Sequence, residues 1–200
     1  MSAPEPGRHL LLLSLAILLA LTGLVGCRDS SEAPAATRPA STETVSLTAN
    51  PVTTSSKVAR VYGRLPKARR GAVRRKVAAA VDAWWDSAYL AGDYPRTSFP
   101  RAFPRFTAGA EAKARRDKRL MTNLDIGGRI DSVTAKRRHL VLDVLATRGT
   151  ARSVTARFVL RFRTTGAKER LVTVRGRLFL TRRSGTWKVF GYDVAKGSRA

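Results

Sequence analysis

Ser153-Val154-Thr155-Ala156-Arg157-Phe158-Val159-Leu160-Arg161-Phe162-Arg163-Thr164 alternates along its whole length. Val154, Ala156, Phe158, Leu160 and Phe162 fall on one side and Arg157, Val159, Arg161 and Arg163 on the other, the period of two of a half-buried strand. Residues 169–182 repeat the pattern, with Val172, Val174, Leu178 and Leu180 inward and Thr173, Arg175, Arg177 and Phe179 outward. The four polar or small residues between the runs, 165–168, suit a hairpin turn, so the two strands are antiparallel. In that register Phe158 opposes Gly176 and Arg157 opposes Arg177. Residues 130–135 and 139–147 read as two more strands around a polar turn, Lys136-Arg137-Arg138. Residues 187–194 form a last strand after the turn Ser184-Gly185.

Upstream the period changes. Val73, Val77, Val81, Trp84 and Ala88 recur at helical spacing, with Trp85 and Leu90 widening the stripe. Pro66 suits a first helical turn, and Gly92 with Pro95 ends the run, so a helix is predicted over 66–91. Its opening turns carry Lys67, Arg69, Arg70, Arg74, Arg75 and Lys76. Positive charge at the positive end of a helix costs about 0.3 kcal/mol or more per residue. These residues are either a solvated face reflecting an arginine-biased composition or a surface kept for a partner. Residues 93–107 interleave three prolines with Phe99, Phe103 and Phe106, a loop whose aromatics cap the core. Residues 108–124 predict a second helix with Leu120, Met121 and Leu124 inward. Helices first and a meander of long strands last is an α+β layout, with the amino-terminal helices packed on one face of an antiparallel sheet.

The chain has 200 residues, one cysteine, and 38 Lys and Arg against 14 Asp and Glu, a formal charge of +24. That is one globular domain's worth of chain, and a lone cysteine excludes an internal disulfide framework. Met1 to His9 is short and polar, and residues 10–25 are apolar apart from Ser14, Thr22 and Gly23. This is the layout of a secretory signal peptide over 1–26. The run is slightly short of the roughly 20 residues that cross a bilayer. Its end, Leu24-Val25-Gly26-Cys27, resembles the signal of bacterial lipoproteins, in which an apolar residue and two small ones precede a cysteine. The resemblance implies that the Cys27 thiol receives a diacylglyceryl group, that the chain is cut before it, and that the new amino terminus is itself open to acylation, as with palmitate. The alternative is an uncleaved signal anchor with an idle thiol. Both place the rest of the chain on the extracytoplasmic side of the cell membrane.

Residues 28–56 are rich in Ala, Ser, Thr and Pro without an apolar face, which predicts a disordered tether. At this length its reach is on the order of 30 Å. The segment before residue 57 holds three of the 38 basic residues and four of the 14 acidic ones. The folded part, 57–200, therefore carries the whole excess, a balance of +25.

The long first helix with Trp84-Trp85 and Ala88-Tyr89, the short helical middle, the run of strands and the closing Trp187-Lys188-Val189 resemble the nuclear-transport-factor and ketosteroid-isomerase superfamily. Within it, the chain is similar to actinobacterial extracytoplasmic members, including accessory proteins of mammalian-cell-entry lipid transporters. The resemblance implies a curved, cone-like sheet. It leaves function open, because this fold hosts enzymes, pocket binders and scaffolds. The accessory proteins usually carry a transmembrane anchor, where this chain has a lipobox.

An enzyme on such a cone needs an acid or base deep in its pocket. His139 is the one histidine of residues 57–200 and lies beside a basic turn, an expected exposed strand end. Asp131, Asp143 and Asp193 are each expected to pair with an arginine. No metal-ligand spacing and no phosphate-binding glycine loop is present, so no enzyme activity, metal or cofactor is expected. Arg157, Arg161, Arg163, Arg175 and Arg177 instead form a candidate anion-binding face. Like charges across a strand pair repel unless an anion, an acidic partner or solvent accommodates them. The expected partners are the membrane, through the acyl anchor, and anionic lipid, cell-wall polymer or a membrane protein complex, through the cationic face. Nucleic acid is not expected, given the extracytoplasmic address and a charge spread over both helices and the sheet. The second functional reading is a carrier of a small apolar ligand, such as lipid, or a lipid-transporter accessory protein using the cone pocket.

Overall fold

In the computed structural model, residues 52–199 are described. The expected signal peptide, Cys27 and the tether as far as residue 51 lie outside the described residues. The chain runs β1 (Ser55–Tyr62), α1 (Lys67–Trp85), α2 (Ala108–Arg116), α3 (Lys118–Met121), β2 (Val133–Thr147), β3 (Thr150–Thr164), β4 (Arg170–Arg183) and β5 (Thr186–Arg199). A π-helical turn, Asp86–Leu90, prolongs α1, and a 3-10 turn, Gly127–Arg129, precedes β2. The fold is α+β, with a curved, unclosed five-stranded sheet in the order β1-β2-β3-β4-β5.

The β3–β4 hairpin has the expected register: Phe158 lies opposite Gly176 and Arg157 opposite Arg177. The strand pairs β2–β3 and β4–β5 are antiparallel as well. Two expectations are corrected. The sheet is mixed rather than antiparallel, because β1 pairs parallel to β2, Ser55 with His139 through to Tyr62 with Leu145. That strand starts inside the stretch read as tether and was hidden by its polar sequence, Ser55-Ser56-Lys57, which reflects an edge strand with solvent on one side. In addition, the turn expected at Lys136-Arg137-Arg138 is absent. β2 runs straight through it, with a register shift between Ala135 and Arg137 that takes up one residue as a bulge.

Helix α1 covers one face of the sheet. Val77, Val81, Trp84, Trp85, Ala88 and Tyr89 are fully buried, on the face that the spacing predicts. Trp84 is the hub: its ring meets those of Tyr89 at 5.6 Å, Phe106 at 6.1 Å and Phe158 at 5.5 Å, all edge-on. Its indole N–H donates to the Met121 carbonyl at 3.2 Å. Such pairs contribute about 1 kcal/mol each beyond area burial. Phe103 and Phe106 are buried at the end of the core, and the adjoining backbone pairs with β5 through Thr107 N–H to the Val189 carbonyl.

The second predicted helix is divided. α2 starts at a Thr107 cap, whose hydroxyl accepts from the Ala110 N–H, and it breaks at Asp117. There the Tyr192 hydroxyl on β5 donates to the carboxylate at 2.7 Å and the Lys113 ammonium donates at 2.9 Å. The hydroxyl first, then Lys113, holds the Asp117 carboxyl below the usual carboxylate range.

Candidate functional site

With the helices on one face, the alternation of β2 to β5 sends every second side chain to the open face. The five arginines singled out from the sequence all lie there, but they are not equivalent. Arg157 reaches Asp143 at 3.2 Å, Arg163 reaches Glu169 at 3.3 Å, and Arg177 reaches Asp193 at 2.6 Å. Arg161 and Arg175 have no carboxylate within 4 Å among the described residues. The repulsion built into the Arg157–Arg177 pair is thus relieved on both sides by an aspartate on the next strand out. Such exposed pairs contribute little to stability, about 0 to 1 kcal/mol.

Between these side chains the open face carries two adjoining depressions. One, of about 450 Å³, is lined by His139, Val141, Val159, Arg175 and Arg177 among others. The other, of about 390 Å³, lies between Arg161, Thr173, Arg175 and the last residues of β5, Ser198 and Arg199. Arg175 borders both. An anion in the second depression would meet Arg161 and Arg175 with no carboxylate in its lining, whereas Asp193 lines the first.

His139 stands half-buried in mid-strand, opposite Ser55 and Val159, rather than at an exposed strand end. The difference follows from the missing turn: β2 continues past residue 138 in both directions. Asp143 and Asp193 pair with arginines as expected, whereas Asp131 has no basic group within 4 Å among the described residues. No cluster of three or more His, Cys, Asp or Glu stands ready to hold a metal among the described residues.

The best-built polar group was not legible in the sequence. Arg138 donates to Asp82 at 2.8 Å, to Asp86 at 3.0 Å and to the Thr54 hydroxyl at 3.0 Å, and that hydroxyl donates to Asp82 at 2.6 Å. Burial works against the Arg138 charge, but the two carboxylates outweigh it and hold its pKa above the usual arginine value. A second group lies at the far end of β5. There the Lys196 ammonium donates to the Arg119 and Thr122 carbonyls and to Asp125, while burial pulls its pKa down. Both groups tie elements together, and Lys196 also borders the depression of about 390 Å³ on the open face. Asp82 and Asp86 do fall four residues apart on one helix face, a spacing that invites a cation, but nothing local indicates that the cation comes from residue 138.

The space between α1 and the sheet, where a cone-shaped domain would hold a ligand, is filled by Trp84, Trp85, Tyr89, Phe158, Phe162 and Met121. No protein-family model, curated protein or solved structure matches this chain.

Proposed function

We propose that the chain is an exported lipoprotein held at the outer face of the cell membrane through Cys27, and that its domain is a non-enzymatic binding or scaffold module. The anchoring half rests on Leu24-Val25-Gly26-Cys27 at the end of an apolar run, where the chain's one cysteine stands. The non-enzymatic half rests on one observation: aromatic side chains fill the space between helix and sheet. A reactive pocket needs open volume and an acid or base aimed into it. The carrier reading loses support from the same packing. The order of helices before long strands and the curvature of the sheet support the likeness to the nuclear-transport-factor superfamily.

The partner reached through the cationic surface is anionic: lipid headgroups, wall polymer or an acidic face of a membrane complex. Binding weakens as salt rises, because exposed charges are screened over about 10 Å at 0.1 M ionic strength. Mass spectrometry of the amino-terminal peptide tests the anchor. The expected product begins at Cys27 and carries acyl mass, and Cys27→Ser abolishes both the cut and the modification. An intact chain from Met1, recovered free in the cytosol, overturns the reading.

A further inference from the structure

The two tight hairpins and the start of α1 meet at one end of the domain. Arg148-Gly149 joins β2 to β3 with φ of 50° and 73°, and Ser184-Gly185 joins β4 to β5 with φ of 45° and 77°. These are two-residue turns with both central residues in the left-handed region, the kind that closes a twisted hairpin without splaying it. Arg69 in the first turn of α1 donates to the Gly149 carbonyl at 2.9 Å, fixing the helix end against the first hairpin. A cleft of about 230 Å³ at this pole is lined by Arg69 and Lys76 of α1, Gly149, and Arg182 and Trp187 from either side of the second hairpin.

The three stretches that converge here, 52–81, 144–168 and 170–192, contain no Asp or Glu. Lys67, Arg69, Lys76, Arg148, Arg182 and Arg183 therefore gather at one pole with no carboxylate among them. The acids lie elsewhere: Asp143 and Asp193 sit in mid-sheet on Arg157 and Arg177, and Glu169 and Asp125 lie toward the opposite end. The pole has a second property. The large hydrophobic side chains exposed among the described residues are Tyr62 at 52%, Leu145 at 48% and Phe190 at 51%. Tyr62 and Leu145 are cross-strand neighbours just before the first hairpin. The Phe190 ring lies 6.3 Å from that of Phe179 on the open face, level with Thr155 and Asp143 in mid-sheet and so away from the pole.

We infer that this pole, rather than the arginine-bearing middle of the sheet, is a docking surface for a bilayer of anionic lipid. The inference rests on the extracytoplasmic, membrane-side address given under Proposed function. A bilayer interface is the partner that takes both features at once. Its headgroups neutralise a cluster of cations, at about 1 kcal/mol per Lys or Arg near the surface. Its acyl boundary accepts the exposed side chains of Tyr62 and Leu145 beside the first hairpin. A soluble polyanion has no use for Tyr62 and Leu145. The pole also stands apart from the mid-sheet cations: Arg183 lies eight residues along β4 from Arg175, about 26 Å at strand rise. That is more than two screening lengths at 0.1 M salt. Charge changes at the two places are therefore separable.

The described residues carry a complete core in one compact unit, so residues 47–200, which span that unit, serve for the test without the anchor. Binding is measured by co-sedimentation at 0.1 M salt, roughly one screening length of 10 Å, with vesicles of equal parts phosphatidylglycerol and phosphatidylcholine and with phosphatidylcholine alone. The unaltered domain is expected to bind the anionic vesicles only. Lys67→Glu with Arg183→Glu lowers the partition roughly thirtyfold or more, while Arg161→Glu with Arg175→Glu lowers it by less than about threefold. Lys67→Glu places an acid at a helix start, which favours folding, and circular dichroism confirms the fold of each variant. Tyr62→Ser with Leu145→Ser lowers the partition roughly tenfold.

Equal binding by the pole variant and the unaltered domain overturns the proposal, as does a larger loss in the mid-sheet variant. No loss on removing Tyr62 and Leu145, together with equally strong binding to soluble polyphosphate, also overturns it and indicates a polyanion partner. Because the unanchored domain lacks Cys27, the two readings fail separately. Acylated Cys27 without pole binding removes only this inference, and pole binding with an unmodified Cys27 removes only the anchor.

Discussion

Gly176 stands in β4 at φ 151°, and a Cβ there would overlap the Asp193 carbonyl oxygen and press on Val194 in β5. No side-chain rotation relieves a clash with backbone, so Gly176→Ala must push the two strands apart or change the local chain path. A cost of about 2 kcal/mol or more is expected, read as a lower urea midpoint. An unchanged midpoint would show that the strands part without penalty. This glycine's position was legible in the sequence, because a turn at 165–168 together with the alternation on both sides of it puts Gly176 opposite Phe158. The partners of Arg157 and Arg177 were not fully legible. Their cross-strand pairing follows from register, whereas the aspartates that relieve it come from β2 and β5, whose registers are set by separate turns and by register shifts, two in the β2–β3 pairing and one in the β4–β5 pairing.

At the scale of elements, β1 decides where the domain begins. Thr54, just ahead of it, bonds Asp82 and Arg138 at once and joins β1, α1 and β2. A chain starting at residue 57, the boundary that composition suggests, loses Thr54 and the first two residues of the strand. It leaves part of the Arg138 guanidinium without its acceptor. Relative to a chain starting at residue 47, we expect a loss of about 1 to 3 kcal/mol, measured by urea unfolding of both. Equal stability would mean that the Arg138 group is held as well by water. The strand escaped detection for a physical reason. An edge strand with one exposed side carries too few apolar residues to alternate visibly, and its parallel partner stands about 80 residues away in sequence, at His139 to Leu145. The helix at 66–91 was legible because a buried stripe of Val and Trp must repeat at the helical period whatever it packs on.

At the scale of the molecule, a balance of +25 over residues 57–200 is a standing repulsion. Net charge of this size works against the compact state until it is screened. The thermal midpoint of the domain is expected to rise between about 10 mM and 0.3 M sodium chloride, as the screening length shrinks from about 30 Å to below 8 Å. Sulfate at equal ionic strength should raise it further if anions settle at the cationic pole. A midpoint that falls or stays level with salt would mean that the eight ion pairs among the described residues hold the charge in balance. The three acid-free stretches were present in the sequence from the start. What they build was not, since they lie far apart along the chain and meet because two hairpins and the start of a helix end at the same place.

Sequence alone determined the features that depend on near neighbours: the amphipathic first helix, the alternating strands, the hairpin register, the segregation of charge into the later residues and the expectation of an anchor at Cys27. These follow from periodicity and composition, which are local properties of a chain. Tertiary structure alone decided the parallel first strand, the filling of the space between α1 and the sheet by aromatics, the Arg138 group and the division of the arginines into paired and unpaired. Each of those depends on contacts between residues distant in sequence, whose distances are set by the packing of whole elements.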